Sequence, residues 1–502
     1  MLTGLIAVAY AGIVVFGTAH HEPWRDEVVS LSIAREMPSV LDLWRTLRHE
    51  GHPVLWYLLL RYAYFVFGST RVLPMLSIVI AIAAILVFLT KAPLPLWIKC
   101  LFVFGYFPVF EYSVVARGNG LAMLLLFCFC ALYPRRKQHP IALALALVGL
   151  ANTTALGFVI AAAAGIMIVI DMATSTEREG PPRHRHVALV VYVAGLAHSI
   201  VSNLPDPSVL PLNLYHHDAG SIISSLAGAI LSPAEHSASL LWIPLLALWL
   251  WLFFILLLRR PGLLAFLFVS LIGFELTFTL VYPASPRHMG YVPLVVIATL
   301  WLWNPVGRLD GQPDDGLVHR AEWWLRHLLL IPFTVALCHQ VILGVSTLVD
   351  DARLDYSSSR RLAAIIGSDP RLERAIVIGE PETLTGSLPY YRGNRIFLPQ
   401  ENAFRDWLHI QIPGGRRGDY NLRELLTTAT ELRSRYDVPV VMALGWWLDG
   451  ENLQREYVGS FFEQTFTMSP ADRTEFLART ELLGRLRAAV FTDENYDVFV
   501  LR

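Results

Sequence analysis

Residues His20–Pro53 read HHEPWRDEVVSLSIAREMPSVLDLWRTLRHEGHP. This is the first long polar break after an apolar N-terminal segment, Leu2–Ala19, and it sets two acids side by side, Asp26 and Glu27, a few residues past the end of that segment. Pro23-Trp24 precedes the acids, and an indole favours the membrane–water boundary. Val40–His49 (VLDLWRTLRH) follows them with the amphipathic pattern of a helix lying along a membrane surface. Leu2–Ala19 lacks the basic n-region of a secretory signal peptide and reads as an uncleaved first span.

The chain around this loop is apolar. Of its 502 residues 55% are hydrophobic and only 16% charged, against about 25% charged in soluble domains. Apolar runs close to membrane-spanning length recur up to Val345. They comprise Val72–Thr90, Trp97–Tyr112, Leu121–Tyr133, Ile141–Leu150, Leu156–Ile170, Val187–Val201, Leu240–Leu258, Leu263–Tyr282, Met289–Trp303 and Trp324–Val345. With the first segment this predicts a polytopic α-helical membrane protein of about eleven spans. Val54–Phe67 is short and carries Arg61 in its middle, so it reads as interfacial, as does or re-enters Ser221–Leu231. The basic clusters at Lys91/Lys99, Arg135–Lys137, Arg178–His186, Arg259–Arg260 and Arg308/Arg320 then fall on one side, the cytoplasm. The Asp26 loop and the C-terminus fall on the other.

The net charge of -1 argues against a nucleic-acid binder, which carries a basic surplus. The four cysteines lie in or beside apolar segments and form no metal-binding spacing or disulfide framework. From Asp350 onward charged residues become frequent. Arg360–Ile366 and Asn421–Tyr436 read as helices, and Ala375–Gly379, Val438–Leu444, Ala488–Thr492 and Asp497–Leu501 as strands. Strands alternating with helices over roughly 150 residues predict a small α/β domain. The expected division is 1–345 for the membrane domain, with 20–71 as its functional first loop, and 346–502 for an extracytoplasmic α/β domain. Its loops hold the clusters Pro389-Tyr390-Tyr391-Arg392-Gly393-Asn394 and Gly445-Trp446-Trp447, and no Gly-rich phosphate loop follows a strand.

Acids beside a membrane read, by default, as solvated charge. At the boundary, one carboxylate of Asp26 and Glu27 can instead take a proton from an attacking hydroxyl. His52, Arg71, Arg117, Arg287 and His288 all fall on the same predicted side. Each alone reads as a snorkelling cation; together they suit a phosphate, which the planar arginine fork binds well. Glu111 reads as a second acid or, with slight preference, as a partner for Arg117. Glu275 lies inside a span, where a carboxylate is either functional or held by hydrogen bonds. His198 and His216-His217-Asp218 lack zinc-site spacing.

These residues resemble the lipid-linked-sugar glycosyltransferases of the C superfamily, which include the bacterial aminoarabinose transferases of lipid A and the protein O-mannosyltransferases. Pro23-Trp24-Arg25-Asp26-Glu27 continuing to Ile33-Ala34-Arg35-Glu36-Met37 resembles their first-loop motif. His52-Pro53 with Leu55-Trp56-Tyr57-Leu58, Arg71-Val72-Leu73-Pro74, Ala116-Arg117 and Arg287-His288 resemble later stretches of the pattern. Val54 stands where a second proline is common, Asn119 where tyrosine is common, and His288 replaces tyrosine. The likeness is of motif over the first 130 or so residues and of architecture beyond them. It implies sugar transfer from a polyprenyl-phosphate donor to a hydroxyl of a glycan, lipid or protein. In that scheme Asp26 is the base, and Arg71, Arg117, Arg287 or His52 holds the leaving phosphate. It names no cofactor and leaves assistance by a divalent metal open. It implies residence in a bacterial plasma membrane, among membrane lipids, with no nucleic-acid partner. The competing reading is a transporter or flippase of a lipid-linked glycan; the absence of an internal repeat and the gathering of charge at span ends weigh against it.

Overall fold

The computed structural model of the protein describes residues 2–50, 53–174, 182–203, 242–281, 285–303, 317–408, 418–448, 453–458, 463–487, 490 and 492–502. The helices of its first part are α1 (Leu2–His20), α2 (Arg25–Glu36), α3 (Val40–Glu50), α4 (Leu55–Phe67), α5 (Val72–Lys91), α6 (Leu96–Val103), α7 (Gly118–Leu132), α8 (Pro140–Ala151), α9 (Ala155–Thr174), α10 (Pro182–Asn203), α11 (Trp242–Leu257), α12 (Pro261–Leu280), α13 (Tyr291–Trp303) and α14 (Leu317–Arg353). Seven apolar helical stretches among the described residues are long enough to cross a membrane: Leu2–His20, Val72–Lys91, Gly118–Arg135, Ala155–Thr174, His184–Asn203, Pro261–Leu280 and Leu328–Arg353. Leu55–Phe67, Pro140–Ala151 and Ala247–Leu257 are apolar but shorter. The protein is a polytopic helical membrane protein with a C-terminal sheet region.

The run Trp97–Tyr112, expected as one span, is not one helix. α6 ends at Val103, and Phe107–Glu111 forms a separate π-helical turn with Pro108 near its start. Pro108 has no N–H to donate to the carbonyl four residues back, which breaks the ladder. Ser221–Leu231 and the His216–Asp218 cluster lie outside the described residues.

The chain divides into two compact units: Met1–Gly17, Trp44–Trp56 and Pro74–Leu348 form the first, and Thr18–Leu43, Tyr57–Leu73 and Val349–Arg502 the second. In the first, hydroxyls close on main-chain carbonyls, as polar groups without water must. Tyr10 Oη donates to Pro108 O at 2.7 Å and Ser77 Oγ to Ser113 O at 2.7 Å. Aromatic rings of Phe88, Phe102, Phe127 and Trp301 pack together. α13 buries nearly every residue and is apolar all round, the pattern of a helix enclosed by others.

The second unit is built on a four-stranded sheet of order β1-β5-β9-β8: β1 (Ile376–Glu380), β5 (Val440–Leu444), β9 (Tyr496–Leu501) and β8 (Thr480–Leu486). β1 and β5 are parallel; the other pairs are antiparallel. Alternate residues serve two cores. Ile376, Ile378, Val440 and Met442 meet Leu422, Leu425, Leu426 and Ala429 of α16 (Leu422–Tyr436). Val377, Val441, Ala443 and Val498 meet Leu362, Ala363 and Ile366 of α15 (Ser359–Ser368). A sheet covered on both faces needs unbroken apolar strands, which is why VPVVMAL and DVFVL read so clearly. Of Ala488–Thr492, expected as a strand, residues 488, 489 and 491 lie outside the described residues, and Thr492 opens a 3-10 turn, Thr492–Glu494; a strand not expected from the sequence lies earlier, at β8. β8 carries charges and a glycine, and a bulge between Leu482 and Gly484, so its alternation is weak. A second small sheet joins β4 (Tyr420–Asn421), β7 (Glu463–Met468) and β6 (Leu453–Val458). β2 (Phe397–Leu398) pairs with β3 (Ala403–Phe404).

The same unit holds α2 in place at both ends. Its first turn carries Asp26 and Glu27 and its last turn Arg35, each suited to the helix dipole. Pro38 disfavours helix at Met37, which is extended. The carbonyls left open there are taken by Arg61 of α4, whose guanidinium donates to Ala34 O at 3.1 Å, Met37 O at 2.5 Å and Pro38 O at 3.1 Å. The mid-helix arginine thus serves as a C-terminal cap. Arg61→Ala is expected to destabilise this unit by about 1–2 kcal/mol, with Arg61→Lys in between. Thermal unfolding of the purified protein in detergent measures it; an unchanged midpoint would remove the cap from the account.

Candidate active site

Asp26 and Glu27 are neighbours with opposite surroundings. Asp26 keeps 29% of its side chain exposed, with Arg25 Nε 3.8 Å away. Glu27 is wholly buried. Its Oε1 accepts from Trp24 N at 3.1 Å, capping the helix, and lies 3.0 Å from His21 Nε2. The other ring nitrogen of His21 lies 3.0 Å from Asp351 Oδ1. Burial opposes a charged imidazole, but Glu27 and Asp351 outweigh it and raise His21 to about 10.

Around this bridge lies a second layer of charge. Arg360 of α15 donates to His21 O at 2.9 Å, and its Nε is 3.2 Å from Glu22 Oε1. Ser357 N donates to Glu22 Oε2 at 3.2 Å. Burial raises Glu22 above the usual carboxylate range, against the pull of Arg360 and Ser357 N. Ser357 Oγ donates to Glu494, which burial raises to about 7 against the influence of Arg25. Arg25 in turn donates to Asp493 at 2.5 Å.

Arg71 is exposed on the turn between α4 and α5. Next to it, Thr70 Oγ1 donates to Tyr390 O at 3.1 Å, in the Tyr-Tyr cluster noted in the sequence. The Tyr390 phenol is raised by burial and by Glu27, and lowered by Arg71 and Arg360. The preceding turn packs on α2: a Cβ at Gly386 would lie 3.1 Å from Arg25 Cβ. The second unit therefore gathers Asp26, Glu27, Arg71 and the Tyr390 segment. His21, Glu22, Asp351 and Arg360 were not singled out in the sequence, because only the fold brings their partners to them.

Glu111, Arg117, Arg287 and His288 belong to the first unit. Glu111 is buried and accepts from Tyr106 Oη at 2.8 Å. Arg117 is the N-cap of α7 and half-buried. Tyr112 Oη donates to Arg287 O at 2.8 Å, and Tyr291 Oη to Asn119 Oδ1 at 3.0 Å, tying the Arg287 turn to the start of α7. Ser285 N donates to His288 Nδ1 at 3.2 Å. Ser285 Oγ lies 3.0 Å from the same ring nitrogen. Glu275 accepts from Thr279 Oγ1 at 3.0 Å. His198 Nδ1 lies 2.8 Å from Asn152 Oδ1. His52 lies outside the described residues. No group of three or more His, Cys, Asp or Glu among the described residues is placed to hold a metal ion.

Raised proton affinities set a pH dependence. His21, raised from 6.5 to about 10, contributes stability that is whole below pH 6.5 and lost as pH rises toward 10. Glu494, raised from 4.5 to about 7, and Glu36, raised to about 6 chiefly by burial and Asp406, favour the protonated fold, so stability also falls as pH rises through their range. All act in one direction. The unfolding midpoint in detergent should be higher near pH 6 than near pH 9; a flat or reversed profile would contradict the charge assignment.

No protein-family model matches the sequence, and no curated protein does. Among solved structures the chain is similar to ArnT from Cupriavidus metallidurans bound to undecaprenyl phosphate. The two share 15% identity with a TM-score of 0.51, over 99% of this chain and 97% of that one. The apo state of the same protein aligns over the same shares at 15% identity with a TM-score of 0.44. At this identity the likeness is one of architecture: the chain has the fold of ArnT.

Proposed function

We propose that the protein transfers a sugar from a polyprenyl-phosphate donor to an acceptor hydroxyl at the extracytoplasmic face of a bacterial plasma membrane. The observation that carries this reading is the contrast within one acidic pair: Glu27 is sealed and engaged, while Asp26 is partly exposed on the first turn of α2. A helix N-terminus favours the ionised carboxylate that a base requires. The fold shared with an ArnT bound to undecaprenyl phosphate supports a lipid-phosphate donor.

In this mechanism Asp26 removes the proton of the acceptor hydroxyl. The oxygen attacks the anomeric carbon, and the bond from that carbon to the phosphate oxygen breaks. The polyprenyl phosphate leaves with the electron pair. Arg71, Arg117, Arg287 or His52 takes up its charge; such stabilisation is often the largest catalytic contribution. A single displacement inverts the anomeric centre. The segment from residue 346 onward serves the acceptor side or assembly.

The test is release of polyprenyl phosphate from a panel of polyprenyl-phosphate sugars, with candidate acceptors, by purified protein in nanodiscs. Asp26→Asn should lower turnover about 10²–10⁴-fold without altering the unfolding midpoint. Arg71→Ala and Arg287→Ala should weaken donor use. Turnover by Asp26→Asn equal to wild type would exclude Asp26 as the base. Movement of intact donor across the bilayer without cleavage would favour translocation instead.

A further inference from the structure

Resting on the reading of Asp26 as base, we propose that His21 is a positioning residue, a buried imidazolium that clamps the first turn of α2 and so aims the Asp26 carboxylate. The argument begins with hydrogen bonds. Each ring nitrogen of His21 lies 3.0 Å from a carboxylate oxygen, Nε2 from Glu27 and Nδ1 from Asp351. An ionised carboxylate only accepts, so both nitrogens must donate, and the ring that satisfies both is the cation. The side chains of all three residues are at least 98% buried. Water cannot substitute for any of them, and removing the cation leaves two carboxylates facing each other without compensation.

The clamp is directed at the catalytic turn. Glu27 Oε1 bonds to His21 and to Trp24 N at once. Arg25 and Asp26 are the two residues between Trp24 and Glu27, so the cap restrains the backbone that carries Asp26. The anchor is equally firm. Asp351 stands in the last turn of α14, 330 residues away in sequence. Arg360 fixes the main chain of His21 through its carbonyl, and Tyr356 covers the imidazole at 4.6 Å between ring centres. The charged groups that face the histidine are thus Glu27, Asp351, Glu22 and Arg360. Positioning matters because a base displaced by about 1 Å from its proton can lose on the order of 10²-fold in rate.

A structural ion pair would share this geometry, so the test must separate the two. His21→Gln keeps a donor for Glu27 but loses the charge and the second arm. Expected are a 10–100-fold fall in kcat per donor-binding site and a donor KM within twofold of wild type. Because the effect runs through Asp26, His21→Gln should cost nothing further in an Asp26→Asn background. Asp351→Asn, a milder change that retains an acceptor, should give a 2–10-fold fall that is likewise absent with Asp26→Asn, and it serves if His21→Gln does not fold. Equal fractional losses in both backgrounds, or an unchanged kcat in a folded variant, would overturn the proposal while leaving Asp26 as base. An active Asp26→Asn would instead overturn the reading beneath it.

Discussion

A carboxylate with no exposed surface has to be paired, and Glu27 is the place where this chain meets that requirement. Taking it out of water carries a large desolvation cost, repaid only by good geometry and further hydrogen bonds. The pairing recruits the helix cap through Trp24 N and the end of α14 through His21 and Asp351. One buried acid therefore joins the first polar loop to the start of the C-terminal region. Neighbouring Asp26 is spared that role and keeps contact with solvent. Two adjacent acids divide into one that is buried and paired and one that stays partly open to solvent.

The opposite end of α2 is governed by the same electrostatics with reversed sign. Unsatisfied carbonyls form a negative terminus, and Arg61 meets three of them. Arg61 stood out in the sequence as a charge in the middle of an apolar helix. Its partners on α2 explain why it is there. In the first unit, tyrosine hydroxyls do comparable work. Tyr112 and Tyr291 bind the Arg287 turn and the start of α7 without introducing charge.

What the sequence disclosed depended on how local the cause was. Spans such as Val72–Lys91, and the strands β1, β5 and β9, announce themselves because burial on all sides demands unbroken apolar residues. The Asp26–Glu27 pair was visible as polar residues in a greasy context. The split in their roles was not, since it depends on His21 and on Asp351, far along the chain. The helix break before Pro108 was masked by continuous hydrophobicity, which measures transfer to lipid and says nothing of a missing N–H. β6 and β7 went unread because Leu453–Val458 and Glu463–Met468 are rich in polar residues and derive their pairing from each other. β8 also went unread, its bulge and glycine disrupting the period-two signal.

This pattern bears on which parts of the proposed chemistry tolerate change. A cation that holds a phosphate can be shifted along a span or replaced by another arginine nearby, because charge acts over distance. A base must meet one proton at hydrogen-bond range. The turn beneath Asp26 is built from buried, doubly bonded groups, while Arg71 sits exposed on a turn whose partner contact is made by Thr70. Under the proposed mechanism, the firmer support lies where direction matters and the looser where only charge does. On that ground, substitutions in the burial layer around Glu27 should be felt in turnover more than in donor affinity, and substitutions among the exposed arginines the other way round.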